Sequence, residues 1–181
     1  MYIHKLKYIH GDVKLENIVL DNSQKIKLVD FGFCTSYEKL EGYHWGSLLY
    51  SAPEIILKSE LITPKIDTWS GGIVLFAISF GILPIRLKMG CSFEEIKTLY
   101  NKISELGPPF SDKIPRSTAL KELLKKILSI DPKLRISEEE ILASDWLSGS
   151  GSLHLDLGNL SLVESPLSSA SPDTPEFPKK F

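Results

Sequence analysis

The sequence predicts an α+β fold, mostly helical, with a small β-hairpin and a buried central helix. Three observations predict it. Two short β-like runs, Ile18-Val19-Leu20 and Ile26-Lys27-Leu28-Val29, flank the polar turn cluster Asp21-Asn22-Ser23-Gln24. The stretch from Asp67 to Leu83 is apolar almost all round, the pattern of a helix buried on every side. Further on, apolar residues recur at helical spacing behind serine-led caps.

The elements follow in order. The first residues, Met1 to His10, carry scattered charges and are expected not to form a signal peptide. The hairpin over Ile18–Val29 comes next. From Phe33 to Ser51 there is no periodicity, and Gly42 and Gly46 fall within it, so this segment is expected to be loop. The central helix spans Asp67 to Leu83. Its apolar run of Gly71–Leu83 is well under the roughly 20 residues a membrane span needs. Ser92-Phe93-Glu94-Glu95 fits a capping box, followed by the stripe Ile96, Leu99, Tyr100 and Ile103. Leu120, Leu123, Leu124, Ile127 and Leu128 form another stripe. Ser137-Glu138-Glu139-Glu140 is a second capping box, opening a helix expected to run through Trp146. Prolines 64, 84, 108, 109, 115 and 132 separate these segments. Near Ser148 the composition turns to Ser, Pro and Gly. The reading is therefore a domain over 1–147 and a disordered tail over 148–181. The tail holds one apolar patch, Leu153 to Val163, and three minimal proline-directed sites at Ser165, Ser171 and Thr174.

Composition narrows the function classes. The 181 residues carry 21 Lys and Arg against 23 Asp and Glu, a net charge of −2. That balance provides no whole-chain attraction to nucleic acid or an acidic membrane surface, so neither is expected as a partner. Two cysteines, Cys34 and Cys91, exclude a disulfide-dense scaffold and have no metal-ligand spacing. The expected location is intracellular, cytoplasmic or nuclear.

The chemistry concentrates around the hairpin. His10-Gly11-Asp12-Val13-Lys14-Leu15-Glu16-Asn17 lies just before the first strand, and Asp30-Phe31-Gly32 follows the second. Ala52-Pro53-Glu54 and Asp67-Thr68-Trp69-Ser70-Gly71-Gly72 come later. Taken singly, each has a plain structural alternative: a turn aspartate, a solvated lysine, a capping asparagine. Together, in this order and on these elements, they resemble the catalytic loop, metal-binding turn, activation-segment end and central helix of eukaryotic protein kinases. The resemblance runs from Met1 to about Leu147. The Leu-Glu-Asn form of the loop and the closing Ile141–Leu147 run resemble the calmodulin-dependent and energy-sensing group of Ser/Thr kinases.

The resemblance implies a role for each residue. Phosphoryl transfer needs a positioned hydroxyl, a held magnesium and offset charge on the transferred group. Asp12 would orient the substrate hydroxyl and accept its proton. Lys14 would contact the γ-phosphate of ATP, and a lysine at this offset resembles Ser/Thr rather than Tyr kinases. Asn17 and Asp30 would hold Mg2+ through hard oxygen ligands. Val19 would floor the adenine pocket. His10 and Phe31 would stack in a buried supporting column, Asp67 would anchor the catalytic loop, and Glu54 would pair with Arg135. Ser47 would sit beside Asp12 in the loop that receives the residue after the phosphoacceptor, and Glu16 would meet a basic substrate residue. The implied partner is a protein with a Ser or Thr acceptor.

Two departures stand out. Gly11 replaces an arginine that usually binds activation-loop phosphate, and Tyr43 stands where relatives place a regulatory threonine. Both point to a protein not switched by activation-loop phosphorylation. The 181 residues also hold no Gly-rich phosphate loop, strand lysine or adenine hinge. The chain is therefore expected to be the C-terminal lobe with the N-terminal lobe missing, through a truncated or incomplete sequence. The alternative is a non-catalytic, pseudokinase-type module, with a partner covering the exposed cleft.

Overall fold

The computed structural model describes residues 2–40, 46–59, 62–86 and 91–149. Tyr43, the apolar patch 153–163 and the tail sites Ser165, Ser171 and Thr174 lie outside the described residues.

A single helical turn, α1 (Tyr2–Lys5), leads into β1 (Tyr8–Ile9). The hairpin forms from β2 (Ile18–Leu20) and β3 (Ile26–Leu28), antiparallel, with Ile18 opposite Leu28 and Leu20 opposite Ile26. The Asp21 side chain shapes its turn, since Oδ1 accepts the amides of Ser23 at 2.8 Å and Lys25 at 3.0 Å. The expected loop over 33–51 is partly structured. Within it, β4 (Thr35–Ser36) pairs antiparallel with β1, and short 3₁₀ turns form at Tyr37–Lys39 and Leu48–Tyr50. Two-residue strands have no periodicity to read, which is why the sequence pattern misses them.

The helical part begins with α2 (Pro53–Ile56), which opens on proline at its first position. The central helix, α3, spans Lys65–Phe80. It stops three residues before the expected Leu83 because Gly81 takes φ 69° and caps it, donating its amide to the Ala77 carbonyl at 2.8 Å. The capping box at Ser92 opens α4 (Phe93–Leu106): the Glu95 amide donates to Ser92 Oγ at 3.3 Å, and the Ser92 amide donates to Glu95 Oε2 at 2.8 Å. Ser117 caps α5 (Thr118–Ile127), whose Leu120, Leu123, Leu124 and Ile127 are buried. The second capping box opens α6 (Glu138–Leu142). The expected continuous helix through Trp146 breaks after Leu142. A new turn, α7 (Asp145–Ser148), starts behind Ser144.

The core gathers around α3. Trp69, Ile73, Phe76 and Phe80 from α3 pack with Tyr100 and Ile103 from α4 and Leu120 and Leu124 from α5. Rings reinforce it: Phe76 and Phe80 lie 4.6 Å apart, and Trp69 meets Tyr100 edge-on at 6.0 Å. Ile9 of β1 is fully buried in the same core, which ties the strand before the candidate site to the helical body. Among the described residues, no helix is long and apolar enough to cross a membrane.

Helices α3 and α5 approach closely at Gly72. A methyl group there would lie 2.3 Å from Ile127 Cγ2 and 3.0 Å from Leu128 Cδ2. Gly72→Ala is therefore expected to cost about 1–3 kcal/mol through overpacking. Gly71, one residue earlier, has nothing within 4 Å of an added Cβ. Gly71→Ala should instead gain about 0.5–1 kcal/mol from helix propensity. Urea unfolding of both variants checks the pair, and equal stabilities would contradict this packing.

Candidate active site

The candidate site is built on the segment between β1 and β2, and α3 holds that segment from below. Asp67, in the first turn of α3, is 1% exposed. Its Oδ2 accepts the His10 amide at 2.7 Å, and its Oδ1 accepts the Gly11 amide at 2.9 Å. Hydrogen bonds to a buried carboxylate are among the stronger ones, so this clamp fixes the backbone immediately before Asp12. Gly11 has φ 79°, in the left-handed region where a side chain is strained. Asp67 thus holds the two amides that precede Asp12. Asp67 also meets His4 Nε2 at 2.8 Å, and the other ring nitrogen of His4 contacts Glu138 of α6.

Asp12 is 4% exposed and its carboxylate is fully engaged. Ser47 donates its amide to Oδ1 at 2.8 Å. Lys14 Nζ lies 2.7 Å from Oδ2, and Asn17 Nδ2 donates to the same oxygen at 3.2 Å. Lys14 Nζ also donates to Ser47 Oγ at 3.0 Å, closing a triangle of Asp12, Lys14 and Ser47. Burial pushes the Asp12 carboxyl up, but the bonds from Lys14 and Ser47 outweigh it and hold its pKa below the ordinary 3.8. Lys14 moves the opposite way. Its hydrogen bond to Asp12 holds its pKa above the ordinary 10.5, against a smaller desolvation effect.

The hairpin brings the second pair of oxygen donors together. Val29, just past β3, donates its amide to the Asn17 carbonyl, just before β2, at 2.9 Å. That bond sets Asn17 and Asp30 side by side although they are distant in sequence. Asn17 also spends its amide nitrogen on the Asp12 carbonyl at 2.8 Å. Its orientation is therefore fixed, with Oδ1 left over. Asp30 has φ 60°, and its Oδ1 accepts the Gly32 amide at 3.2 Å, a local turn that leaves Oδ2 over. Among the described residues no three His, Cys, Asp or Glu side chains cluster as a metal cage. Two protein oxygens plus phosphate and water suit magnesium, which is seldom held by an all-protein cage.

His10 is fully buried and meets the Phe31 ring edge-on at 5.0 Å. The expected column is only half enclosed, because Phe31 remains 50% exposed. Val19 is likewise 41% exposed on the hairpin.

Further along, Ser51 Oγ donates to the Ser47 carbonyl at 3.1 Å, so Ser47 is held at amide, hydroxyl and carbonyl. Glu54 and Arg135 meet in two parallel bonds, Nη1 to Oε1 at 2.6 Å and Nη2 to Oε2 at 2.8 Å. The pair is fully buried, with side chains 0% and 1% exposed. Glu16 is exposed at the rim of the site, and its charge and hydrogen bond help burial raise the Tyr50 phenol above its ordinary range.

The family model for the protein kinase domain matches residues 1–147. The chain belongs to the protein kinase domain family. Its relatives agree. The SNF-related serine/threonine-protein kinase of Rattus norvegicus is 37% identical over 151 residues, 82% of this chain and 19% of that protein. Maternal embryonic leucine zipper kinase of Xenopus tropicalis is 35% identical over 150 residues, 81% of this chain and 22% of that protein. A probable serine/threonine-protein kinase, a KIN1 homolog of Encephalitozoon cuniculi, is 32% identical over 149 residues, 81% of this chain and 25% of that protein. These matches place the chain in the broad group that its closing motif suggested. The chain spans a quarter or less of the length of these relatives.

Two features of the site escape sequence reasoning. The contact of His4 with both Asp67 and Glu138 joins residues 63 and 134 positions downstream, and no local pattern signals such a pairing. Gly46 is the other. It reads as loop glycine, yet an added Cβ would fall 2.0 Å from Asp12 Oδ1. Its place just before Ser47 in the motif is the one signal that could have drawn attention to it.

Proposed function

We propose that this chain is the C-terminal lobe of a Ser/Thr protein kinase domain, over residues 1–147 with a tail over 148–181. The reaction is transfer of the ATP γ-phosphoryl to a protein Ser or Thr hydroxyl. The observation that carries this reading is the convergence of Asp12, Lys14, Asn17 and Ser47 into one hydrogen-bonded cluster, with Asp30 beside Asn17 across the hairpin.

In this reading Asp12 orients the acceptor hydroxyl and takes its proton as the oxygen attacks phosphorus. Its depressed pKa keeps it ionised at neutral pH. Lys14 stands beside it as the cation that offsets charge on the transferred group. Asn17 Oδ1 and Asp30 Oδ2 would hold Mg2+, which would offset phosphate charge when bound. Val19 lies under the adenine. Ser47 fixes Lys14 and Asp12 relative to each other, and Glu16 at the rim meets a basic substrate residue. His10, Phe31, Asp67, Glu54 and Arg135 keep the loop in place. The protein acts inside the cell, in cytoplasm or nucleus, on a protein substrate.

A second reading draws on the exposed hairpin. Val19, Leu20, Ile26 and Phe31 are 41%, 60%, 72% and 50% exposed, an unusual amount of large apolar surface for four nearby residues. In that reading the lobe is a non-catalytic module and a partner covers these side chains.

The deciding experiment uses the 181-residue chain alone and the same chain fused behind the preceding segment of the rat SNF-related relative. Calorimetry with Mg-ATP should show weak or no binding by the chain alone. The fusion should transfer label from ATP to a Ser/Thr peptide mixture and lose that activity on Asp30→Ala. A folded fusion that binds nucleotide yet transfers nothing would reject the kinase reading in favour of the module.

A further inference from the structure

Gly46 lies in ordinary backbone territory, since its φ is not among the positive values of the chain. Conformational freedom is therefore not what position 46 draws from glycine. Space is. A Cβ there would meet three atoms of Asp12: Oδ1 at 2.0 Å, Cγ at 2.4 Å and Cβ at 2.6 Å. Asp12 is short, and its Cβ is fixed to a backbone that Asp67 clamps through the two preceding amides. It has little room to swing aside.

The contact is part of a larger closure. The Gly46 amide donates to the Gly11 carbonyl at 3.3 Å, and the next amide, Ser47, donates to Asp12 Oδ1 at 2.8 Å. Ser47 Oγ accepts from Lys14, and its carbonyl accepts from Ser51 Oγ. Consecutive amides thus grip consecutive residues of the catalytic loop. The grip requires the backbone at 46 to lie in contact with the Asp12 side chain.

We infer that Gly46 is a positioning residue for Asp12: its missing side chain lets the 46–47 backbone close on the carboxylate, so that the Ser47 amide fixes Oδ1. Any side chain at 46 levers this backbone away and breaks the Ser47–Asp12 bond. Asp12 then keeps Lys14 and Asn17 on Oδ2 but is released at Oδ1. The consequence for catalysis rests on the reading of Asp12 as proton acceptor. The closure itself does not.

The test uses the full 181-residue chain and contains no nucleotide, so its outcome is independent of the kinase reading. Gly46→Ala should lower the melting temperature. In NMR of the 15N-labelled chain it should also move the Ser47 amide proton upfield, because its bond to Asp12 Oδ1 is lost. Ser47→Ala keeps the amide and its bond, so that proton should move less. The decisive measurement is a double-mutant cycle with Asp12→Gly, which removes all three atoms that a Cβ at 46 would strike. In that background Gly46→Ala should have little effect on stability. If Gly46→Ala unfolds the chain outright, the double variant should fold again. Additive losses, an unfolded double variant, or a Ser47 amide proton unmoved in Gly46→Ala would each overturn the inference. Phosphoryl transfer by the fusion described above reports separately on the kinase reading.

Discussion

Arg135→Ala is expected to destabilise the chain by about 3–5 kcal/mol, the cost of leaving a buried carboxylate without its partner. Glu54 is 3% exposed and has no route to water once the guanidinium is gone. The loss extends beyond the ion pair. Arg135 Nε donates to the Ser129 carbonyl at 3.1 Å, and Nη1 also donates to the Lys65 carbonyl at 2.9 Å. Its guanidinium carbon lies 5.1 Å from the centre of the fully buried Trp69 ring. One side chain therefore joins α2, the start of α3 and the segment after α5. Thermal unfolding should show a drop on the order of 10 °C for a domain of this size. Arg135→Lys should recover only part of it, because an ammonium cannot make the two parallel bonds of a guanidinium. Replacing both partners, as Glu54→Gln with Arg135→Met, should cost less than the two single changes added together. A drop of under about 2 °C for Arg135→Ala would show that the pair is solvated and that this burial is wrong.

That pair also shows what a sequence can and cannot reveal. Glu54 and Arg135 are 81 positions apart, and no periodicity connects them. Only resemblance to a family pattern could pair them. Local signals did well where local physics decides. The turn cluster at Asp21 makes its hairpin through its own side chain, and both serine-led capping boxes form with reciprocal bonds. The apolar stripes of α4 and α5 are buried because a period near 3.6 maps onto one helix face. Boundaries failed where a single residue overrides an apolar run. Gly81 ends α3 by adopting φ 69°, although Ile82 and Leu83 continue the hydrophobic pattern. The pairing of β4 with β1 was illegible because two residues carry no alternation. At the site, the motif residues were legible as a set, whereas the reason for Gly46 was not. A steric requirement imposed by a residue 34 positions earlier leaves no trace in its neighbours.

Asp12→Asn is the substitution with the largest expected effect on chemistry. In the fused chain it should lower kcat by about 10²–10⁴-fold, the usual contribution of a positioned general base. The KM for ATP should change little, because in the proposed reading Asp12 acts on the acceptor hydroxyl rather than on the nucleotide. The substitution also has a stability signature that needs no activity. Asparagine can still accept the Ser47 amide, but its own NH2 would then face Lys14 Nζ and Asn17 Nδ2, donor against donors. The lost term has a defined pH window. The Asp12 pKa is depressed, so its ionised form contributes stability above its ordinary pKa, and that stability is lost as pH falls through the lower folded value. The Lys14 pKa is raised by Asp12, so its share is present below the ordinary 10.5 and is lost as pH rises through the higher folded value. The stability difference between wild type and Asp12→Asn should therefore stay constant across roughly pH 5–10 and shrink toward both extremes. Urea unfolding at several pH values measures it. A difference that persists unchanged at low pH would mean that the fold leaves the Asp12 pKa unshifted, and one that changes in wild type's favour as pH falls would mean that Asp12 is held un-ionised and unable to take up a proton.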